Sequence, residues 1–254
     1  MIKGLYSAGS GLVSQVYRQQ IISHNLANVN TTGFKADRLG LDSFPGLASA
    51  DPVLLPVRLG DVPAGDSELI GAGVMALDRP FDLSQGGLRP TGVELDFALE
   101  GPGFFAVQTE NGIVYTRNGA FHRSPEGVLV DAEGYPVLGQ AGPIQVGADP
   151  VAVTPEGIVI QDGQEVGRLR LVDFPADQLL KLGENHFAPV DPAAQGTPAT
   201  ATVLQGHLET SNVDLVQMMT EMLSAMRSYE ASQRLVLYQD QILGQTVTEV
   251  GRVG

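Results

Sequence analysis

The sequence predicts an α+β protein, mainly β: an antiparallel, partly closed β domain carried on a stalk of N- and C-terminal α-helices of coiled-coil type. Three observations carry that class. All 16 prolines lie between Pro45 and Pro198, so long helix is allowed at both ends and interrupted between them. Apolar residues recur every seven positions near the C-terminus. Turn dipeptides punctuate the middle at intervals of about 7–10 residues, the spacing of an antiparallel meander.

Taken in order, the first element is a helix over roughly Lys3 to Asn28. Ile2, Leu5, Leu12, Val16, Ile22 and Leu26 keep helical spacing, while Gln19 and Ser23 break the stripe. Gly4, Gly9 and Gly11 each cost about 1 kcal/mol relative to Ala in a helix interior. Such a helix depends on packing partners. Residues 36–90 follow as an extended connector with short strands, because Pro45, Pro52, Pro56 and Pro63 forbid a long regular element.

The β domain occupies residues 91–187. Asn111-Gly112 and Asn118-Gly119 are hairpin-type dipeptides. Further turns are expected at Pro125-Glu126-Gly127, Glu133-Gly134, Pro155-Glu156-Gly157 and Asp162-Gly163. Strands are expected between them at Phe104–Gln108, Ile113–Thr116, Val128–Val130, Ile158–Ile160 and Arg168–Val172. The domain should be closed or nearly so, which protects its edges. A second connector, residues 188–207, leads back to a helix from about Asn212 to Val250.

That last helix carries the strongest pattern. Leu215, Met222, Tyr229, Val236, Leu243 and Val250 form a seven-residue row. Met219, Met226 and Val247 fall four residues after members of it, which makes a 4–3 apolar seam. Ser211 and Asp214 stand in capping-box spacing before it. Residues 1–35 and 208–254 thus form a terminal helical domain, with more apolar helix surface than two helices bury between themselves. The stalk is expected to pack against copies of itself.

Composition removes several function classes. The 254 residues carry 15 Lys+Arg against 29 Asp+Glu, a net charge of −14, which argues against nucleic acid and anionic membrane surfaces. There is no cysteine, so thiolate catalysis and iron–sulfur clusters are out. No window is apolar enough to span a bilayer, so no membrane insertion is expected. The start MIKGLYSAGSGLVSQ lacks a long apolar stretch with a cleavage site, so no cleavable signal peptide is expected.

No catalytic, cofactor or metal site is expected. The four histidines, His24, His122, His186 and His207, have no helical metal-site spacing and no HExxH. Glu94/Asp96 and Asp131/Glu133 are drawn more simply as surface acids, and Asp131–Gly134 as a turn without the ligand spacing of a calcium loop. Gly101-Pro102-Gly103-Phe104-Phe105 runs into a strand, so its glycines serve a tight turn that seats Phe104 or Phe105 in the core.

Three ordered motifs resemble one family. NLANVNTTGFK at Asn25–Lys35 resembles the N-terminal signature of the bacterial flagellar rod and hook proteins. LETSNVDLVQMMTEMLSAMRSY at Leu208–Tyr229 is similar to their closing motif. LDFALEGPGFFAV (95–107) and YTRNGAFHRSPEGVLVDAEGYPV (115–137) resemble the β domain of the larger members. GPIQV (142–146) and VGRLRLVDFPADQLLKLGENHF (166–187) look most like the proximal-rod, F-type subunit, with the distal-rod, G-type subunit as runner-up.

The resemblance implies a non-enzymatic axial subunit of the basal body, in the cell envelope. It would be exported through the flagellar type III apparatus and polymerise into a hollow rod that transmits torque to the hook. Its partners would be copies of itself and other rod subunits. The residues expected to carry assembly are Leu5, Leu12, Leu26, Leu215, Met219, Met222, Met226 and Tyr229 along the helices. Asn25, Asn28, Thr31, Gly33, Phe34, Ser211, Asn212 and Val213 are expected to belong to the same assembly set, with Asn25, Asn28, Thr31 and Gly33 ending the first helix and setting the turn into the connector. Deleting residues 1–30 or 212–254 is then expected to abolish assembly while the β domain stays folded. A reading from another class is an extracellular carbohydrate-binding β protein on an oligomerisation stalk, although the chain has no Trp and only 6% aromatics.

Overall fold

A computed structural model describes residues 2–43, 74–79, 81–183, 185–192, 194 and 196–250. Pro45, Pro52, Pro56 and Pro63 of the expected connector lie outside the described residues. In chain order, α1 (Ile2–Ala27) is followed by β1 (Arg38–Ser43), β2 (Val74–Arg79), β3 (Leu88–Pro90) and β4 (Phe97–Glu100). Then come β5 (Phe104–Thr109), β6 (Gly112–Thr116), β7 (His122–Arg123), β8 (Leu129–Val130) and β9 (Val151–Val153). Next are β10 (Ile158–Gln161), β11 (Gln164–Arg168), β12 (Leu171–Asp173), β13 (Leu179–Gly183) and β14 (His186–Pro189). The chain ends with β15 (Thr197–Pro198), β16 (Thr202–Gln205), β17 (His207–Glu209) and α2 (Leu215–Val250).

The chain divides into two compact units. Met1–Ser23, Leu39–Arg79 and Met219–Gly254 form one, and His24–Arg38 with Pro80–Met218 form the other. Strands β1 and β2 pair with each other in a two-stranded sheet, while the second unit holds β3 to β17. Its largest sheet has six strands in the order β13-β14-β6-β5-β12-β15, beside a three-stranded sheet β11-β10-β9. The pairs β16-β4, β17-β3 and β7-β8 complete it. Every pairing with a described register in this unit is antiparallel.

Two apolar clusters explain the sheet. Phe105 joins Phe97, Phe121, Leu129, Val137 and Val159 in one, while Phe104 and Ala106 join Tyr115, Phe174, Leu179 and Phe187 in the other. Successive side chains of a strand point to opposite faces, so β5 is covered on both sides and reads as a continuous apolar run. The glycine turn before it therefore seats Phe104 and Phe105 both in core. Gly103 has φ +142°, and a Cβ there would stand 2.5 Å from the Ala199 methyl group, so only glycine fits.

Three expectations need correction. No described sheet closes into a barrel. One edge of the large sheet is blunted instead, by β15, a two-residue strand containing Pro198. Asn118-Gly119 does not turn a hairpin: β6 ends at Thr116, and Gly119 lies against Phe97, whose amide donates to the Gly119 carbonyl (2.9 Å). A Cβ at Gly119 would fall 1.7 Å from the Phe97 carbonyl oxygen, so this glycine serves a close backbone approach. Glu110-Asn111 joins β5 to β6, one position before the expected dipeptide, with Gly112 already the first residue of β6; Asp162-Gly163, both at positive φ (52° and 75°), turns β10 into β11 as expected.

The third correction is at the start of α2. Asp214 is the residue that caps it, since its Oδ1 accepts from Gln217 N (2.9 Å) and its carbonyl from Met218 N (3.0 Å). Ser211 Oγ accepts from Val213 N (3.2 Å) and shapes the turn before the helix. Three residues, Asn212 to Asp214, are thereby left outside the helix that was expected to contain them.

Candidate functional site

The residues of the two terminal motifs meet in the β-bearing unit. Asn25, near the end of α1, grips the residue just before β1: its Nδ2 donates to the Asp37 carbonyl (2.9 Å) and its Oδ1 accepts from Asp37 N (2.8 Å). Asn28 Nδ2 donates to the His24 carbonyl (2.9 Å), and Thr31 Oγ1 donates to Asn28 Oδ1 (3.1 Å). These side chains satisfy backbone groups that a helix end leaves loose. Gly33 then turns the chain at φ +69°, with a virtual Cβ only 2.5 Å from the backbone of Arg117 and Asn118. Its amide donates to the Glu209 carbonyl (2.8 Å), which joins the N-terminal motif to β17.

Asn212 makes the reciprocal connection. Its Oδ1 accepts from Ala36 N (2.8 Å), and its Nδ2 donates to the carbonyls of Asp82 (2.9 Å) and Ser84 (3.1 Å). Phe34 is buried, with the Lys181 ammonium 3.9 Å above its ring and His24 edge-on at 5.6 Å. Asp37 bridges these two side chains, with Oδ2 2.6 Å from His24 Nδ1 and Oδ1 2.8 Å from Lys181 Nζ.

At the centre lies an ion network that sequence reasoning missed. Glu209, fully buried, receives Lys35 Nζ (2.7 Å) and Gly86 N (2.9 Å) on Oε1, and Arg117 Nη1 (3.2 Å) on Oε2. Lys35 also donates to the Ser84 carbonyl (2.7 Å), and Arg117 Nη2 to the Gly101 carbonyl (2.8 Å). Arg117 stands over the Phe104 ring at 5.3 Å, which ties the network to the core. Burial pushes the Lys35 ammonium and the Arg117 guanidinium below their usual ranges, and Glu209 opposes that in both cases. Removing charges from water is costly, and this cluster is tolerable only because partners converge on each one. Its donors and acceptors point inward, so it fastens chain segments and offers no surface for catalysis.

Asp82 adds an outer contact. Burial raises its pKa, but hydrogen bonds from Ser84 and the Arg38 guanidinium (3.1 Å) outweigh that and hold it below the usual carboxylate value.

The helices present a different chemistry. On α2, Ala225 is buried and Met222, Tyr229, Ser232, Val236 and Gln239 are half-buried, which makes the more covered row, at 3–4 spacing. Leu215, Met219 and Met226 of the expected seam lie on the exposed side, together with Val216, Leu223, Leu235, Leu237, Tyr238 and Ile242. On α1, Ile22 and Ser14 are buried, Leu12 and Leu26 are half-buried, and Val13, Val16 and Tyr17 are exposed. The Leu5 side chain lies outside the described residues. No described helix is long and apolar enough to cross a membrane.

Three family models match in the chain's own order. Residues 5–35 match the flagella basal body rod protein model. Residues 98–163 match the D1 domain of the flagellar hook protein FlgE/F/G, and residues 204–249 the C-terminal model of the flagellar basal body rod proteins FlgEFG. The flagellar basal-body rod protein FlgG of Buchnera aphidicola (Schizaphis graminum) is 32% identical over 96% of this chain and 98% of its own length. This chain belongs to the flagellar basal-body rod protein family. FlgG of Bacillus subtilis is similar at 32% over 97% of the chain and 98% of its own length. FlgF of Caulobacter vibrioides reaches 33% over 92% of the chain and 91% of its own length.

The ion network gains meaning against these matches. Lys35, Arg117 and Glu209 come one each from the three matched segments. In this family member, the signature segments meet at one buried carboxylate. The signal was present in the sequence, as the only lysine of NLANVNTTGFK, the arginine of YTRNGAF and the glutamate of LETSN.

Proposed function

We infer that this chain is a structural subunit of the bacterial flagellar basal-body rod and works by assembly, not catalysis. The observation that carries this is full-length similarity to basal-body rod proteins of both the G and F types, joined to a long helix with an exposed apolar face. A soluble monomer gains nothing from showing Leu223, Leu235, Leu237 and Tyr238 to water, so they are read as the surface for neighbouring rod subunits.

In this reading the terminal helices α1 and α2 form the coiled-coil inner layer of a hollow shaft that carries torque to the hook. Copies of this chain and other rod subunits are its partners. The chain passes through the flagellar type III export apparatus, its terminal helices ordering as they assemble. Within the family, the runs at 142–146 and 166–187 favour the proximal-rod F type, and the distal-rod G type, carried by relatives of comparable similarity, is the alternative.

Electron microscopy of basal bodies from a strain lacking this protein, with a complemented control, tests the reading. Rods that are absent or stop short, with loss of hook and motility, are expected. Arrest near the membrane end points to the proximal subunit, and arrest near the hook to the distal one. Intact rods, hooks and swimming overturn the axial role.

A further inference from the structure

The turn after β8 and the start of β14 bring together three groups that the assembly reading does not use. His186 Nε2 stands 3.0 Å from Asp131 Oδ2 and 4.0 Å from Glu133 Oε2. Their ligand atoms all lie within 4.8 Å of one another. In the sequence His186 is 55 residues from Asp131, which is why no spacing rule joins them.

We propose that Asp131, Glu133 and His186 form a divalent-metal site of the zinc class. Asp131 is already oriented for it. Its Oδ1 accepts from Glu133 N (3.1 Å) and Tyr135 N (2.7 Å), which fixes the carboxylate and leaves Oδ2 aimed at the imidazole. The side chains of Asp131 and His186 are more than nine-tenths buried, at 4% and 9% exposure. Glu133 closes the set from the rim at 29% exposure, beside solvent that can supply a fourth ligand.

The donor set selects the ion. One imidazole nitrogen and two carboxylate oxygens suit zinc, at bonds of about 2.0–2.2 Å, with water in the open position. Such bonds in tetrahedral geometry place donor atoms roughly 3.3–3.6 Å apart, so a small rotation of Glu133 completes the site. Calcium and magnesium prefer oxygen alone, which the imidazole opposes. Two carboxylates balance the charge of the ion. Bound metal would clamp the 131–135 turn to β14, and so to the six-stranded sheet.

The test uses the full chain, stripped with chelator and titrated with zinc chloride by calorimetry, with cobalt(II) absorption as a geometric readout. One equivalent should bind, with a dissociation constant of about 1 μM or tighter, and the thermal midpoint should rise with zinc concentration. Glu133→Gln should weaken binding about tenfold or more, and His186→Ala should abolish it, while His122→Ala changes neither. Because Glu133 sits at the rim, Glu133→Gln decides the matter even where His186→Ala fails to fold. No saturable binding, or binding unchanged in Glu133→Gln, overturns the proposal and leaves Asp131 and His186 as a hydrogen-bonded pair.

Discussion

The segments around Lys35 and Glu209 bury their charges, whereas α2 beyond Met219 exposes its apolar side chains. Both choices are costly in a lone chain, yet only the first is compensated within it. Glu209 has three donors on its two oxygens, while Leu237 and Tyr238 remain about two-thirds exposed. The difference separates what folding finishes from what assembly must finish. A buried polar junction demands fixed geometry, and all three of its charged members lie in the β-bearing unit. An apolar helix face tolerates delay and can wait for a second chain to cover it.

The largest effect should come from breaking the junction at its centre. Glu209→Ala strands Lys35 and Arg117 in the interior, and about 3–5 kcal/mol of unfolding free energy should be lost, as read by urea denaturation. Pairing Lys35→Met with Glu209→Gln should cost less than the sum of the single changes by roughly 1–3 kcal/mol. Additive costs would mean that the charges are not one unit.

Gly33→Ala comes next. Its left-handed backbone carries a penalty of about 1–2 kcal/mol for any other residue. The clash with the Arg117 and Asn118 backbone adds to it. The change should lower the thermal midpoint of the β-bearing unit and leave α2 untouched.

Cutting the exposed region should do little to that unit. The sequence alone suggests a cut at residue 212, but Asn212 holds Ala36, Asp82 and Ser84, so the boundary belongs after Met218. By the same logic the N-terminal cut belongs before His24 and not at residue 30, because Asn25 and Asn28 are part of the junction. A chain lacking 219–254 should unfold within about 1 kcal/mol of the full chain's β transition and fail to build rods. Leu223→Glu should leave folding within about 0.5 kcal/mol and still abolish polymerisation in a complementation assay. Normal rods from Leu223→Glu would remove this face from the interface.

How far these two regions can be read from sequence differs for the same physical reason. Helix leaves a local trace, and the proline-free ends and the 4–3 rhythm locate α1 and α2 within a few residues. Hairpins leave one too, near Asn111-Gly112 and at Asp162-Gly163. Yet periodicity alone does not separate neighbouring faces, and the more covered row of α2 runs through Ala225 and Ser232 beside the methionines at 219 and 226. Long-range ion pairing leaves no local trace at all. Lys35 and Glu209 lie 174 residues apart, and neither looks buried in its own neighbourhood. Gly119 likewise carries a turn signature and is used for a close approach to Phe97.

The smallest expected effect sharpens the edge of the junction. Asp82 is held below its usual pKa in the fold, so the folded state keeps its charge at pH values where the unfolded chain binds a proton. Its contribution is therefore complete above the unfolded value, near 3.8, and is lost as the pH falls through the lower folded value. Asp82→Asn should remove only that acid-side contribution, a few tenths to about 1 kcal/mol for a partly exposed pair. Unfolding free energies of both chains between pH 2 and 6 measure it. The difference should be largest at pH 6 and vanish at the acid end. A difference that persists to pH 2 would assign the cost to the side-chain bond with Ser84 and the backbone around it, and charge would then play no part at the junction's rim.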